Sequence, residues 1–391
     1  MTSRYSYKSF WKRVLAALFD IISGLFAVFG PRKSRRVDQK SIHRILLIRL
    51  DHLVDVVLSR PAMIAVREHF KRAEIDLLVS HECAPLVSHL PGKFQVIPVR
   101  GHWFERSASH GRSMKTFFSL SRQLRSRRYD LAVDFRGDLR HLLLMRLSGI
   151  PFRVGYGITG GRFLATHSLD YPRHAHQSQV SEILLTRVGV PASDAPRSVR
   201  FDYSLAQQEM TLSKFPFLED RAVKKIVIHT GAGYPSKKWP FEKFRQVINE
   251  VLNRELAAVI LIGSREEKHA NPLEEAANRK TYDLRGESGL EDLPVIVDFS
   301  NLYLGNDSGP GHIAAAQGGP VLILFSGVNR SEIWRPVGPG VNLIRHEVPC
   351  SPCEMPVCPL KHQDCMNKIE LDAVMNQITI MLSEKKGQLH V

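Results

Sequence analysis

The feature that most constrains this chain is an alternation of short apolar runs with longer polar segments of helical periodicity. In the first half the apolar runs are six or seven residues long and rich in Ile, Leu and Val. Such runs predict buried strands of a parallel sheet, and the segments between them predict helices that cover both faces. The predicted strands are Arg44–Leu50, Ile75–Ser80, Phe94–Arg100 and Asp130–Arg136.

The same alternation resumes after a break at Gly189–Arg200, which contains Pro191 and Pro196 and is the predicted linker. The sequence therefore predicts two doubly wound α/β units in tandem, which bind ligands beyond the carboxyl ends of their strands. The predicted domains are an extension at 1–40, an N-terminal domain at 41–190 and a C-terminal domain at 200–391. The later predicted strands are Ile226–Thr230, Ala258–Gly263, Tyr282–Arg285, Asn301–Asn306 and Val321–Ser326. The predicted helices between and after them are Phe241–Glu255, Glu266–Asn278, Leu290–Phe299 and Gly311–Gln317.

The first forty residues carry a different pattern. Between Trp11 and Phe29 large apolar residues recur at steps of three and four, and Lys and Arg lie on both sides of this stretch. The pattern predicts an amphipathic helix in the interface of an anionic membrane. Two alternatives stay open: a helix packed on the protein body, and a short membrane span, which the single charge of Asp20 disfavours.

The charge balance indicates anionic partners. The 54 Lys and Arg residues exceed the 39 Asp and Glu residues, giving a formal net charge of +15. Hydrophobic residues at 43% exclude a disordered chain and a collagen-like one. Because the basic residues are dispersed and no nucleic-acid-binding module is recognisable, a nucleic-acid partner is not expected. There is no P-loop and no Asp-x-Asp pair, so the sequence predicts chemistry without a catalytic metal.

The segment 303–316 is the strongest local motif. An apolar run ends at Asn306, and Asp307, Ser308, Gly309 and His312 follow at the start of a helix of small residues. Backbone N–H groups at a helix start bind anions, which predicts a phosphate site there. The alternative is a helix cap with glycines that only form the turn.

The segment 229–240 follows another predicted strand of the same unit. It contains a hydroxyl at Thr230, a glycine at Gly231, and two lysines, Lys237 and Lys238, ahead of a helix. Lysine charge beside exposed N–H groups suits a diphosphate leaving group, on which negative charge develops. The alternative is a surface loop with solvated lysines.

Two further motifs lie at strand ends of the first half. Asp55, after the first strand, is suited to general-base catalysis, although capping of the next helix is an alternative. Arg136 and Arg140, after the fourth strand, are suited to gripping a phosphate or a carboxylate, and surface ion pairs are the alternative.

Four of the five cysteines, at positions 350–365, fall within sixteen residues. The first pair has the spacing of metal ligands, whereas the later gaps are irregular for a zinc site. A structural metal site therefore stays open beside thiols that are reduced or reversibly paired. The residues are Cys350, Cys353, Cys358 and Cys365.

Together these motifs, in this order and spacing, resemble glycosyltransferase family 9, the ADP-heptose:lipopolysaccharide heptosyltransferases. The resemblance runs from about Arg44 to the C-terminus and includes the cysteine segment with Pro359 and His362. It implies a GT-B fold of two facing Rossmann-like domains, no cofactor, no essential metal, and inversion at the anomeric carbon. Val54 stands where the family usually has glycine, and the N-terminal extension is also unusual.

The resemblance also implies roles for individual residues. Asp55 matches the general base, Lys237 or Lys238 the lysine that contacts the diphosphate, and Arg136 and Arg140 the acceptor-binding region. The residues that match the donor-binding motifs are Thr230, Gly231, Asp307, Ser308, Gly309 and His312.

The expected function is that of an inverting, metal-independent glycosyltransferase. By resemblance the donor is ADP-heptose and the acceptor a lipopolysaccharide core or related anionic glycolipid. The expected location is peripheral, on the cytoplasmic face of a bacterial inner membrane. Two alternatives are a nucleotide-sugar epimerase on the same fold and a non-catalytic protein that binds a nucleotide sugar.

Overall fold

The computed structural model describes Val14, Ala17 and residues 38–100, 113–272 and 280–383. The predicted amphipathic helix at 11–29 lies outside the described residues, apart from Val14 and Ala17. No helix within the described ranges is long and apolar enough to cross a membrane. The chain divides into two compact units, which we call unit 1 (Met1–Arg197) and unit 2 (Ser198–Val391).

Unit 1 is built on a parallel sheet with the strand order β3-β2-β1-β4-β5. The central strand β1 has almost no exposed side chain after its first residue, because helices cover both faces of a doubly wound sheet. The last strand lies at the sheet edge, is only four residues long, and was not predicted. The strands are β1 Arg44–Arg49, β2 Glu74–Ser80, β3 Phe94–Val99, β4 Leu131–Asp134 and β5 Phe152–Gly155.

Side-chain hydrogen bonds cap the starts of two described helices of unit 1. Asp138 starts α3 by accepting a hydrogen bond from Arg140 N (2.8 Å), and His176 starts α4 by accepting one from Ser178 N (3.2 Å). The helices are α1 Leu53–His69, α2 Ser113–Ser126, α3 Leu139–Leu147 and α4 Gln177–Leu185. Short 3₁₀ helices lie at Gln39–Ser41, His81–Leu86, Arg162–Leu164 and Thr186–Val188.

Unit 2 has a second parallel sheet, with the strand order β11-β10-β9-β6-β7-β8. The four central strands are fully buried. The edge strands β8 and β11 are only partly buried, and β11 was not predicted. The strands are β6 Lys225–His229, β7 Ala258–Ile262, β8 Thr281–Asp283, β9 Leu302–Asn306, β10 Val321–Leu324 and β11 Val341–Ile344.

Helices α6 and α12 of unit 2 pack with this sheet in one apolar core. Helix α9 begins at Gly309, two residues before the predicted start. The helices are α5 Leu205–Lys214, α6 Phe241–Asn253, α7 Arg265–Ala270, α8 Leu293–Asp298, α9 Gly309–Ala316, α10 Ser331–Trp334, α11 Asp364–Asn367 and α12 Leu371–Ser383. Short 3₁₀ helices lie at Pro216–Leu218 and Pro235–Lys237.

Candidate active site

The two loops that the sequence singled out in unit 2 lie beside each other. Their strands, β6 and β9, are hydrogen-bonded neighbours, with His229 opposite Gly305 at the carboxyl end. Because both strands are parallel, the loops 230–240 and 306–312 leave the same edge of the sheet. The fold thus brings the two predicted phosphate-binding motifs together.

Asn306 holds the first loop in place. Its Nδ2 donates to the carbonyl oxygens of Thr230 (2.8 Å) and Gly231 (3.3 Å), and its Oδ1 accepts from Trp239 N (3.0 Å). The Asn306 side chain is completely buried, so these hydrogen bonds are shielded from water. It therefore ties both ends of the lysine loop to the end of β9, a role that the sequence analysis did not assign.

The two lysines of this loop have different surroundings. Lys237 Nζ is 2.5 Å from Asp307 Oδ2, and only 14% and 3% of these side chains are exposed. Lys238 is exposed, and its charge acts on Glu267. The buried cation that faces the second loop is thus Lys237.

The surroundings of Asp307 favour its ionised form. Burial raises the pKa of its carboxyl, but the neighbouring Lys237 and His312 outweigh burial and hold the pKa below its usual range. His312 Nε2 is 3.8 Å from Asp307 Oδ1, too far for a hydrogen bond. Neither ring nitrogen of His312 has a hydrogen-bond partner, although the side chain is buried. A buried imidazole of this kind is available to an anionic ligand.

The start of α9 carries further donors. Ser308 is its N-cap residue, yet the side chain makes no capping hydrogen bond. Its Oγ instead forms a 3.0 Å hydrogen bond with His229 Nδ1. In the first turn of α9, Pro310 has no N–H group and Gly311 N donates to Ser308 O (3.1 Å). The N–H of Gly309, which the Ser308 side chain does not satisfy, is therefore the backbone donor that suits an anion.

Glu267 completes this edge of unit 2, and the sequence analysis missed it. Its Oε2 lies 3.6 Å from His229 Nε2 and accepts a hydrogen bond from Ser264 N (3.0 Å). A Cβ at Gly231 would lie 1.7 Å from Glu267 Oε1, so a larger residue there would displace the Glu267 carboxylate. Burial raises the pKa of Glu267, but His229, Ser264 N and Lys238 together lower it. The Ser-x-x-Glu capping box at the start of α7 was the available signal in the sequence.

The strand ends of unit 1 carry a separate group of charges. Asp55 lies in the first turn of α1, where Arg49 Nη2 donates to its Oδ1 (3.0 Å) and Arg49 Nε to its carbonyl oxygen (3.2 Å). Burial lowers the pKa of Arg49, but the carboxylates of Asp55 and Asp51 outweigh burial, so the pKa lies above its usual value. The guanidinium therefore fixes the Asp55 carboxylate at the end of β1.

The two predicted acceptor-binding arginines are held by carboxylates. Arg136 lies 3.5 Å from Asp51 and donates to Leu50 O (3.0 Å), whereas Arg140 Nη2 lies 2.7 Å from Asp138. Their side chains are 29% and 44% exposed. The ion pairs considered as the alternative are therefore present, and they orient the arginines.

A buried carboxylate shapes the loop that carries these arginines. Asp134 accepts hydrogen bonds from the backbone N–H groups of Arg136 (3.1 Å), Gly137 (2.9 Å) and Asp138 (2.9 Å). His141 Nδ1 lies 2.9 Å from the same carboxylate. The loop after β4 is thus held by local hydrogen bonds to Asp134, which set the positions of Arg136 and Arg140.

The four clustered cysteines have free thiols. Among the residues that the structure describes, no group of three or more His, Cys, Asp or Glu side chains is arranged to hold a metal ion. Cys350, which is exposed, Cys353 and Cys358 lie on a non-repetitive segment, whereas Cys365 lies in α11.

The cysteine segment instead supports the lysine loop. Ser236 Oγ donates to Met355 O (2.5 Å), and Gln363 Nε2 donates to the carbonyl oxygens of Pro235 (3.1 Å) and Lys238 (2.8 Å). The segment therefore fixes the backbone on both sides of Lys237.

Comparison with known proteins agrees with these features. The model of glycosyltransferase family 9 (heptosyltransferase) matches residues 117–363. Lipopolysaccharide heptosyltransferase 2 of Salmonella typhimurium is 24% identical over 315 residues, covering 77% of this chain and 88% of that protein. Lipopolysaccharide heptosyltransferase 3 of Escherichia coli K12 is 26% identical over 290 residues, covering 72% and 82%. The solved structure of E. coli ADP-heptose LPS heptosyltransferase II superposes with a TM-score of 0.71 at 20% identity, covering 87% of this chain and 98% of that one.

The parallel-sheet α/β fold of both units, together with these relatives, defines the chain as a sugar-transferring enzyme. The family model covers more than half of the chain. The chain belongs to glycosyltransferase family 9, the heptosyltransferase family, which confirms the resemblance stated from the motifs. The epimerase and the non-catalytic binding protein are not favoured.

Proposed function

We propose that this enzyme transfers heptose from ADP-heptose to a lipopolysaccharide core or related glycolipid, with inversion and without a catalytic metal. The relatives named above act in lipopolysaccharide synthesis, and one of them is named for ADP-heptose. The observation that carries the proposal is the Lys237–Asp307 pair beside the uncapped start of α9. That arrangement provides positive charge and N–H donors for a departing diphosphate.

The donor site is assigned to unit 2. Lys237 has three N–H donors, so it can hold Asp307 and a phosphate oxygen at once. The N–H group of Gly309, the Ser308 hydroxyl and the His312 ring would bind the remaining oxygens. Thr230 and Gly231, held by Asn306, form the other side of this phosphate site.

Glu267 is assigned to the sugar of the nucleoside. An ionised carboxylate at a strand end of a doubly wound sheet is a usual acceptor for ribose hydroxyls. The lowered pKa of Glu267 keeps it an acceptor at neutral pH. Lys238, whose charge acts on Glu267, would support this contact and leave the diphosphate to Lys237.

Asp55 is assigned as the general base. The proton of the acceptor hydroxyl passes to the Asp55 carboxylate as the acceptor oxygen attacks the anomeric carbon. The bond from that carbon to the diphosphate breaks on the opposite side, so the configuration inverts. Arg49 orients the base, and Arg136 and Arg140 would hold an anionic group of the acceptor.

The location follows from the proposed acceptor. A lipid-linked acceptor requires an enzyme at the membrane surface, and the basic sequence with its amphipathic segment at 11–29 suits one. We therefore assign residues 1–40 as a peripheral anchor on the cytoplasmic face of the bacterial inner membrane. No nucleic acid and no cofactor enters this scheme.

A donor screen tests the proposal. Purified protein is incubated with ADP-heptose, UDP-glucose or GDP-mannose, with and without core-truncated lipopolysaccharide, and release of nucleoside diphosphate is measured. We expect acceptor-dependent release of ADP from ADP-heptose and little release from the other donors. Conversion of a nucleotide sugar without acceptor would instead support the epimerase, and no reaction with any donor would contradict the proposal.

A further inference from the structure

Two neighbouring helices of unit 1 combine exposed apolar side chains with exposed positive charge. The well-exposed large apolar side chains in the described part of unit 1 all lie on α2 and α3. Soluble proteins usually scatter such side chains singly, so their concentration on two helices indicates a contact surface. They are Met114 (59% exposed), Phe118 (45%), Leu143 (37%) and Leu147 (37%).

The two helices form one continuous surface. Phe117 and Leu124 of α2 are buried in the same apolar cluster as Leu142 and Met145 of α3, on one face of the sheet. The helices also contact each other directly. Their opposite sides therefore face outward together, and we call this surface the basic apolar face.

Within the described residues, the charged side chains of these two helices have one sign. Helices α2 and α3 contain no Asp or Glu within their ranges. Their exposed cations include Lys115, Arg122, Arg125 and Arg146. None of these four forms an ion pair with a described carboxylate. A partner must therefore supply negative charge and accept apolar side chains.

We propose that the basic apolar face contacts a bilayer that contains anionic phospholipid, independently of the segment at 1–40. Lys and Arg bind anionic headgroups while Met, Phe and Leu enter the apolar boundary beneath them. This interaction goes beyond the proposed function, because it would hold unit 1 on the membrane whichever sugar is transferred.

Charge disfavours two other occupants. Residues 1–37 carry eight Lys and Arg and one Asp, so their docking on this face would bring like charges together. A second copy meeting the same face by two-fold symmetry would also place cations against cations. An anionic lipid surface has neither cost.

Vesicle binding by the full-length chain tests the proposal. L143Q/L147Q and R122Q/R146Q change the face, with helix propensity nearly preserved. L205Q/M210Q on α5 and K93Q/R187Q, all at exposed positions, are matched controls. With phosphatidylethanolamine/phosphatidylglycerol vesicles, each face variant should bind about tenfold or more weakly, and the controls as wild type. Face variants that bind as tightly as the controls would overturn the proposal.

Insertion is tested by fluorescence. Leu147→Trp and Leu205→Trp each add one indole to the four already present, and the vesicles carry brominated acyl chains. The emission added by L147W should be quenched and that added by L205W should not. Equal quenching would overturn the proposal. A lowered thermal midpoint of L143Q/L147Q without vesicles would assign the face to the N-terminal segment, and a concentration-dependent dimer lost in the same variant would assign it to a second copy.

Discussion

Among substitutions in unit 2, replacing Lys237 with methionine is the most informative test of the donor site. The substitution keeps the length of the side chain and removes its charge. Asp307, 3% exposed, would lose the cation that lies 2.5 Å from its carboxylate and keep only His312 at 3.8 Å. Both folding and catalysis should therefore suffer, for different reasons.

The two losses have calculable sizes. Removing one partner of a buried ion pair costs about 3–5 kcal/mol of unfolding free energy. For a unit of this size 1 kcal/mol shifts the midpoint by about 2–4 °C, so the midpoint should fall by roughly 6–20 °C. Losing one preorganised donor at the developing negative charge lowers turnover by about 10²–10³.

The double variant K237M/D307N separates the two losses. It removes both charges, so much of the thermal stability should return, while turnover stays low because the diphosphate still lacks its cation. The measurements are ADP release at saturating ADP-heptose and thermal unfolding by circular dichroism. K238M is the matched control and should lose little turnover and little thermal stability, since Lys238 is exposed. Equal losses in K237M and K238M, or recovery of turnover in the double variant, would refute the assignment.

Three further outcomes are expected. Because the folded-state pKa of Asp307 is lowered, its ion pair stabilises the protein above about pH 5 and loses this effect as the pH falls through the folded-state pKa. The difference in unfolding free energy between wild type and D307N should therefore shrink in acid, and a constant difference down to pH 2 would show that Asp307 does not titrate. EDTA should leave ADP release unchanged, whereas a loss that Mg²⁺ reverses would show a catalytic metal. Deletion of residues 1–40 should weaken binding to anionic vesicles and leave donor binding intact, and loss of donor binding would place that segment in the core.

Much of the fold follows from the local pattern of the sequence. The central strands are runs of Ile, Leu and Val buried on both faces, such as β1 and β7, and their periodicity is decisive. The edge strands β5 and β11 escaped prediction because they are four residues long and half-buried. What makes them strands is pairing with a neighbour distant in sequence, which a local pattern does not record.

The candidate site was only partly predictable for a similar reason. The motifs pointed to both lysines, yet only the structure shows Lys237 against Asp307 and Lys238 beside Glu267. Glu267 itself lies 29 residues beyond Lys238 in sequence, and its capping motif signals a helix start rather than a ligand contact. Arg49 lies inside the predicted first strand, but its hydrogen bonds to Asp55 depend on the path of the chain between β1 and α1.

The most direct test of the account is heptose transfer by Asp55→Asn. The substitution preserves shape and removes the proton acceptor, so turnover with ADP-heptose and core-truncated lipopolysaccharide should fall by about 10²–10⁴. The dissociation constant of ADP-heptose, measured by calorimetry on the same preparation, should stay unchanged, because the donor is assigned to unit 2. A variant that transfers heptose at close to the wild-type rate would contradict Asp55 as the base and with it the proposed mechanism.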